Sequence, residues 1–177
     1  NFKRRDHRWN DHVNQMHEEL KKCGIEMPVM EIFSPPRVNG MAERLGIIPG
    51  MSLDLTGVDQ DDGLPWDFNN KDKRNKATDM VLGKKALLII GSPMCKSFSN
   101  LMNWNWHKMN DGEKSRIIKE GRNHLKFCMT LYKIQMENGM YFLHEHPFSA
   151  RSWKESYVQD VMNTTGVRMV RGDMCGF

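Results

Sequence analysis

Apolar positions along this chain follow two different periods. Trp9, Val13, Met16 and Leu20 recur at steps of three and four, which predicts an amphipathic helix over residues 6–22. Gly24 ends it and Pro28 marks a boundary. From residue 29 short apolar runs alternate with helical stripes. Residues 29–33 read as a strand, closed by Ser34, Pro35 and Pro36. Val38, Met41, Ala42 and Leu45 mark one face of a short helix, and residues 51–55 read as a second short strand that ends at Asp54. Residues 57–72 form a polar loop with Trp66 and Phe68 as apolar anchors, followed by a helix over 71–82.

Leu87, Leu88, Ile89 and Ile90 make a continuous apolar run, suited to a strand buried on both faces of a parallel sheet. Gly91, Ser92 and Pro93 break it. Residues 103–107 read as an aromatic loop too polar for a strand, and 111–138 as the longest helix, with Ile118, Leu125, Met129, Tyr132 and Met136 on one side. A strand over 140–143, a helix over 152–162 and a strand near 168–170 complete the series. Strands separated by helices predict a three-layer α/β domain over 29–177 with a mostly parallel sheet and right-handed crossovers. Residues 1–28 stand before it as a helix and linker. With Asn1 first and Met174-Cys-Gly-Phe177 last, both ends read as cut from a longer chain.

A length of 177 residues suits one domain with a real core, and 39% apolar with 27% charged residues describes an ordinary globular protein. No apolar stretch approaches membrane-span length and no signal peptide is evident, so no membrane partner is expected. The net charge of +4 permits a phosphate-bearing partner without requiring one. Lys3, Arg4, Arg5 and Arg8 lie at the basic start, as a solvated helix face or a contact to a nucleic-acid backbone. The four cysteines, Cys23, Cys95, Cys128 and Cys175, form no CxxC pair. A disulfide framework or zinc knuckle is therefore not expected, and an intracellular setting, nuclear or cytoplasmic, is.

Four predicted strand ends carry polar residues: Ser34, Asp54, Cys95 and Glu145. In open α/β sheets the carboxyl ends of the strands are where ligands bind. Asp54 lies 21 residues past Phe33, the placement of an acid that holds a ribose hydroxyl pair. The glycine-rich turn that wraps a pyrophosphate is replaced by Ser34-Pro-Pro-Arg37, so a cofactor without pyrophosphate, such as S-adenosylmethionine, suits the site better. Cys95, with Lys96, Ser97 and Ser99 beside it, is a candidate nucleophile, and Glu145 a candidate proton donor. His144 and His146 flank Glu145. Alternation along a strand sends neighbours to opposite faces, and one metal bound by both histidines is not expected.

Gly91-Ser-Pro-Met-Cys-Lys-Ser-Phe-Ser99 resembles the catalytic loop of cytosine carbon-5 methyltransferases, which reads Gly-x-Pro-Pro-Cys-Gln-x-Phe-Ser. Glu31-Ile-Phe-Ser34 is similar to their opening Asp-Leu-Phe-Ser/Ala segment, and Glu145 to the glutamate of their Glu-Asn-Val motif. Order and rough spacing agree over residues 29–147. The segment also resembles a divergent methyltransferase-like module of retroelement-type polyproteins, through Phe33-Ser-Pro-Pro-Arg-Val38, Ser52-Leu-Asp-Leu-Thr56, Ser92-Pro-Met-Cys95 and His144-Glu-His-Pro147. The resemblance implies a Rossmann-like methyltransferase fold using S-adenosylmethionine. Phe33, Ser34, Asp54, Asp67 and Pro93 would serve the cofactor: Asp54 at the ribose, Asp67 near the adenine, Pro93 with Phe98 shaping loop and pocket. A cytosine would be flipped from its strand, Cys95 would attack carbon 6 and Glu145 would engage the ring nitrogen. The chain departs from the family at Met94, Lys96 and His146, where proline, glutamine and asparagine are usual, and at Pro35 and Pro36, where glycines are usual.

Three readings follow. The first is an S-adenosylmethionine-dependent methyltransferase acting on cytosine, with DNA ahead of RNA as substrate. The second is a non-catalytic nucleic-acid-binding module of a mobile-element polyprotein, in which Lys96, Ser97, Trp104, Trp106 and Lys108 meet bases and phosphates. The third is a thiol enzyme using Cys95 with His144 or His146 as base.

Overall fold

A computed structural model describes residues 6–25, 27–45, 47–99 and 102–172. Lys3, Arg4, Arg5 and Cys175 lie outside the described residues, as do the side chains of Arg8, Trp9, Val13 and Trp104. The elements run α1 (Asp6–Lys22), β1 (Val29–Ile32), a 3-10 turn (Asn39–Met41), α2 (Ala42–Leu45), β2 (Met51–Leu53), α3 (Lys71–Lys84) and β3 (Leu88–Gly91). They continue with a 3-10 turn (Lys96–Phe98), α4 (Asn103–Trp106), α5 (Asp111–Glu137), β4 (Tyr141–His144), a 3-10 turn (Arg151–Lys154) and α6 (Ser156–Met162).

The four strands form one sheet in the order β2-β1-β3-β4, every pair parallel. The architecture is thus α/β with an all-parallel sheet behind an amino-terminal helix, as the strand–helix alternation predicts. Local chemistry sets the helix starts. The Asn70 side chain accepts the Asp72 N–H at the head of α3, and that of Asn110 accepts the Glu113 N–H at the head of α5. Alternation then divides each strand between two faces. Met30 and Ile32 of β1, fully buried, enter one core with Ile89 of β3, Ala77 and Val81 of α3, and Leu125, Cys128 and Tyr132 of α5. Tyr132 stacks on Phe142 of β4 at 4.4 Å between ring centroids. Glu31 turns to the other face.

Two sequence expectations fail. Residues 103–106, expected as a loop, close one helical turn. No strand forms at Arg168, Met169 and Val170; all three are exposed, and Val170 is 87% so. Their apolar–basic pattern has no sheet edge paired with it, so nothing offsets the cost of fixing an extended backbone.

The polar loop after β2 is held by charge. The Lys73 ammonium, buried, meets Asp59 at 2.6 Å and Asp62 at 2.7 Å, Lys76 also pairs with Asp59, and both lysines sit over the Trp66 ring. Burial alone raises the Asp59 pKa, but hydrogen bonds from Lys73, Lys76 and the Asp61 N–H outweigh it and hold the value at about 2. This pins Trp66, Asp67 and Phe68 against the carboxyl ends of the strands. Among the described residues no helix is long and apolar enough to cross a membrane.

Candidate cofactor and catalytic site

The ladder fixes where the candidate residues stand. Ile32 is level with Leu53 on one side and Gly91 on the other, and Gly91 is level with His144. One further rung continues the sheet: the N–H groups of Phe33, Ser92 and Glu145 donate to the carbonyls of Leu53, Ile32 and Gly91, each at 3.0 Å. Asp54, Phe33, Ser92 and Glu145 therefore form one row across the carboxyl edge. With strands about 4.8 Å apart, roughly 10 Å separates the Phe33 and Glu145 backbones.

A cavity of about 260 Å³ opens on the Asp54 half of this row, and Phe33, Asp54, Asp67, Ser92, Met94 and His124 help to line it. Phe33 leaves the strand in the left-handed region, φ 61°, which is strained for a bulky side chain. Its ring lies 4.8 Å from those of both Phe68 and His124. Asp54 takes the Thr56 hydroxyl at 2.9 Å and its N–H at 3.4 Å on Oδ2; Asp67 takes the Asn69 N–H at 2.9 Å on Oδ1. The second oxygen of each acid has no hydrogen-bond partner among the described residues. An aromatic ring and two half-engaged carboxylates lining one cavity are a set of groups that suits a nucleoside, with a face for the base and acceptors for hydroxyls. A hollow of about 440 Å³ shares Asp54 on one side, and one of about 200 Å³ shares Met94 and His124 on the other. Together they form a trench along the strand ends.

Glu31 and Ser34, from the segment resembling the family's opening motif, are turned away from this trench. Glu31 is 1% exposed and accepts the N–H groups of Arg37 at 3.1 Å, Val38 at 3.0 Å and Asn39 at 3.0 Å, plus the Ser52 hydroxyl at 2.8 Å. Burial raises its pKa, and these four hydrogen bonds overcome that and leave it below the ordinary value. Ser34 is buried and donates to the Pro35 carbonyl at 2.9 Å. Where the family has glycines approaching a ligand, this chain folds its own carboxylate into the loop.

The cysteine loop is clamped from two sides. His146, at the end of β4, lies 3.1 Å from the Pro93 carbonyl through Nε2, while its Nδ1 meets the Ser152 hydroxyl. On the other side Ser97 and Phe98 are buried against α5. Gly121 permits this, because a Cβ there would lie 1.9 Å from the Ser97 Oγ. Ser97, expected to face nucleic acid, is thus part of the packing. Pro93 is buried, Cys95 half-buried at the start of the turn, and Lys96 exposed. Glu145 is exposed, and neither it nor Cys95 lines the Asp54 cavity. Lys108 is exposed; Trp106 is half-buried in a separate hollow of about 360 Å³ with Lys114, Arg122 and Arg151.

The two histidines are not sent to opposite faces. Residues two apart on a strand share a face, and the His144 and His146 rings lie 5.3 Å apart. Glu145, between them, faces away. Among the described residues no group of three or more His, Cys, Asp or Glu side chains is placed to hold a metal. Nδ1 of His144 meets the Tyr132 hydroxyl at 2.9 Å, and burial, assisted by His146, pushes the His144 pKa down to about 3. Both nitrogens of His146 are engaged, and no hydrogen bond joins Cys95 to either imidazole. The thiol–imidazole pair of the third reading is not formed in this arrangement.

Sequence reasoning missed His124, Asn69 and Glu120. His124 sits on the buried stripe of α5 between Gly121 and Cys128, and a titratable residue within an apolar stripe was the available signal. Its partner Asn69 is 55 residues away, which no local pattern reveals. No family model, curated protein or solved structure matches the chain.

Proposed function

We propose that this chain binds S-adenosylmethionine at the Phe33–Asp54–Asp67 cavity and transfers its methyl group to carbon 5 of a cytosine in DNA. The observation that carries the reading is the row of strand ends: the cavity lies beside the loop bearing Cys95, and Glu145 closes the far end of the row. Asp54 would hold the ribose hydroxyls on its open oxygen, Phe33 the base, and Asp67 the adenine edge. The bound cofactor supplies an electrophilic methyl group. The Cys95 thiolate would add to carbon 6 of the flipped base while Glu145 donates a proton to the ring nitrogen, placing electron density on carbon 5. After methyl transfer, the carbon 5 proton would pass to solvent, expulsion of the thiolate would restore Cys95, and the ring nitrogen would return its proton to Glu145. The test begins with calorimetric titration of S-adenosylmethionine and S-adenosylhomocysteine into the chain and its Asp54→Ala variant. Micromolar binding, weakened at least tenfold in the variant (about 1.4 kcal/mol), is expected. Methyl transfer to cytosine-containing strands should then vanish with Cys95→Ala. A folded chain that binds neither compound refutes the reading.

The hollow lined by Trp106, Lys114, Arg122 and Arg151, with Glu155 paired to Arg122, favours a second reading, a nucleic-acid-binding module without transfer activity. Salt-sensitive binding of single strands, indifferent to S-adenosylmethionine and to Cys95→Ser, would select it.

A further inference from the structure

His124 is almost wholly buried, and its tautomer can be deduced from its neighbours. The Asn69 side chain lies between Glu120 and His124: Nδ2 is 2.9 Å from the Glu120 Oε1, and Oδ1 is 2.9 Å from the His124 Nε2. A carboxylate only accepts, so the amide nitrogen must face Glu120 and the amide oxygen must face the ring. Nε2 of His124 therefore carries the proton, and Nδ1 is a bare acceptor. Burial, the main cause, with Arg74 assisting, lowers the His124 pKa against the opposing Glu120 and Asp67 charges, and keeps the ring neutral near pH 7. The buried polar atoms that lack a partner among the described residues belong to His17, His144 and Tyr157. Nδ1 of His124 is not among them and has no hydrogen-bond partner among the described residues, and His124 lines the cavity beside Phe33.

An acceptor held in one tautomer, beside an aromatic ring 4.8 Å away, distinguishes purines by their 6-position. An adenine presents an amine that donates there; a 6-oxopurine presents a carbonyl that would oppose the lone pair. We propose that His124 receives the exocyclic amine of an adenine ring seated on Phe33, and so selects an aminopurine nucleoside over its 6-oxo counterpart. The inference rests on reading the cavity as a nucleoside site, and adds a specificity-determining residue to it.

The test is titration of the full chain with adenosine, inosine, S-adenosylhomocysteine and S-inosylhomocysteine. Parallel titrations use His124→Gln, which keeps a donor for Asn69 and removes the δ acceptor, and His124→Asn, which keeps an acceptor near the δ position. Adenine-bearing ligands are expected to bind at least about tenfold tighter than their 6-oxo partners, since a mismatched buried pair loses a hydrogen bond and leaves two groups unsatisfied. The ratio should fall to near one in His124→Gln and persist in His124→Asn. Equal binding of both purine classes by the unmodified chain overturns the inference, whatever the variants do. So does a ratio that survives His124→Gln and falls with Asp67→Asn, which would give the amine to the acid. Adenosine selectivity without tighter binding of S-adenosylhomocysteine supports the His124 role and refutes the methyl-donor reading. Tight but unselective binding of both homocysteine ligands does the reverse, and no binding of any ligand overturns both.

Discussion

Replacing Glu31 by glutamine tests whether the carboxylate is an internal ligand of the loop after β1. In the native arrangement Oε1 accepts from Arg37 and Val38, and Oε2 from Asn39 and Ser52. A glutamine oxygen can still serve Arg37 and Val38, now without charge assistance. Its NH2 group must face the Asn39 N–H and the Ser52 hydroxyl. The hydroxyl can rotate to accept, but the Asn39 N–H then meets a donor inside the protein. An orphaned buried N–H costs about 1–3 kcal/mol, and losing the charge from two further bonds adds roughly 0.5–1 kcal/mol. The expected loss is about 2–4 kcal/mol, a large fraction of a typical domain's stability. Urea unfolding at pH 7, followed by tryptophan fluorescence, should show a midpoint lowered by about 1–2 M at ordinary m-values. The pH dependence is a second check. Glu31 has a folded pKa below its ordinary 4.5, so its stabilisation is complete above that value and is lost as the pH falls through the folded value. The difference between the two proteins should therefore be full at pH 7 and narrow below pH 4.5. An unchanged midpoint for Glu31→Gln at pH 7, or a gap that stays constant into acid, would refute the reasoning.

Other perturbations test the packing around the cysteine loop. Gly121→Ala places a methyl group 1.9 Å from the Ser97 Oγ and 2.9 Å from its Cβ, and overpacking of this kind costs about 1–3 kcal/mol. Thermal unfolding should register the loss, with Ser97→Gly restoring more of it than Ser97→Ala; equal behaviour of the two double variants would contradict the proposed contact. Cys128 is fully buried, which pushes its pKa up to about 12, whereas Cys23 is exposed and Cys95 half-buried. Iodoacetamide at pH 8, with peptide mapping by mass spectrometry, should modify Cys23 and Cys95 in the folded protein and Cys128 only in denaturant. Modification of native Cys128 at the rate of Cys23 would show that α5 is not packed on β3 as described.

Much of the fold is local chemistry and was legible for that reason. The stripe from Trp9 to Leu20 predicts a helix over 6–22, the bounds observed for α1. Asn70 and Asn110 cap α3 and α5, and Ser34, Asp54 and Gly91-Ser-Pro93 end the apolar runs of β1, β2 and β3 within two residues of where the ladders stop. Because parallel strands separated by helices bring their carboxyl ends to one edge, the sequence also placed Ser34, Asp54, Cys95 and Glu145 near that edge, whereas the ladder puts Phe33 and Ser92 in the row with Asp54 and Glu145 and leaves Ser34 buried on the Pro35 carbonyl. A strand near residues 168–170 was misread, since an apolar–basic alternation becomes a strand only where another strand offers an edge.

Tertiary structure decided everything that depends on which groups meet across distance. Glu31-Ile-Phe-Ser34 resembles a cofactor-contacting segment, but only folding brings residues 37–39 and Ser52 around the Glu31 carboxylate and engages it inside the protein. Likewise Ser97 is a loop serine in sequence and a buried contact in space, because Gly121 lets the loop settle on α5. His124 acquires a fixed tautomer only through Asn69 and Glu120. The chain's own periodicity determined its elements, their order and the edge where chemistry gathers, since these follow from short-range sterics and burial. The state of each polar group depended on partners far along the chain, because a hydrogen bond or a buried charge is set by the atoms within a few ångströms, whatever their distance in sequence.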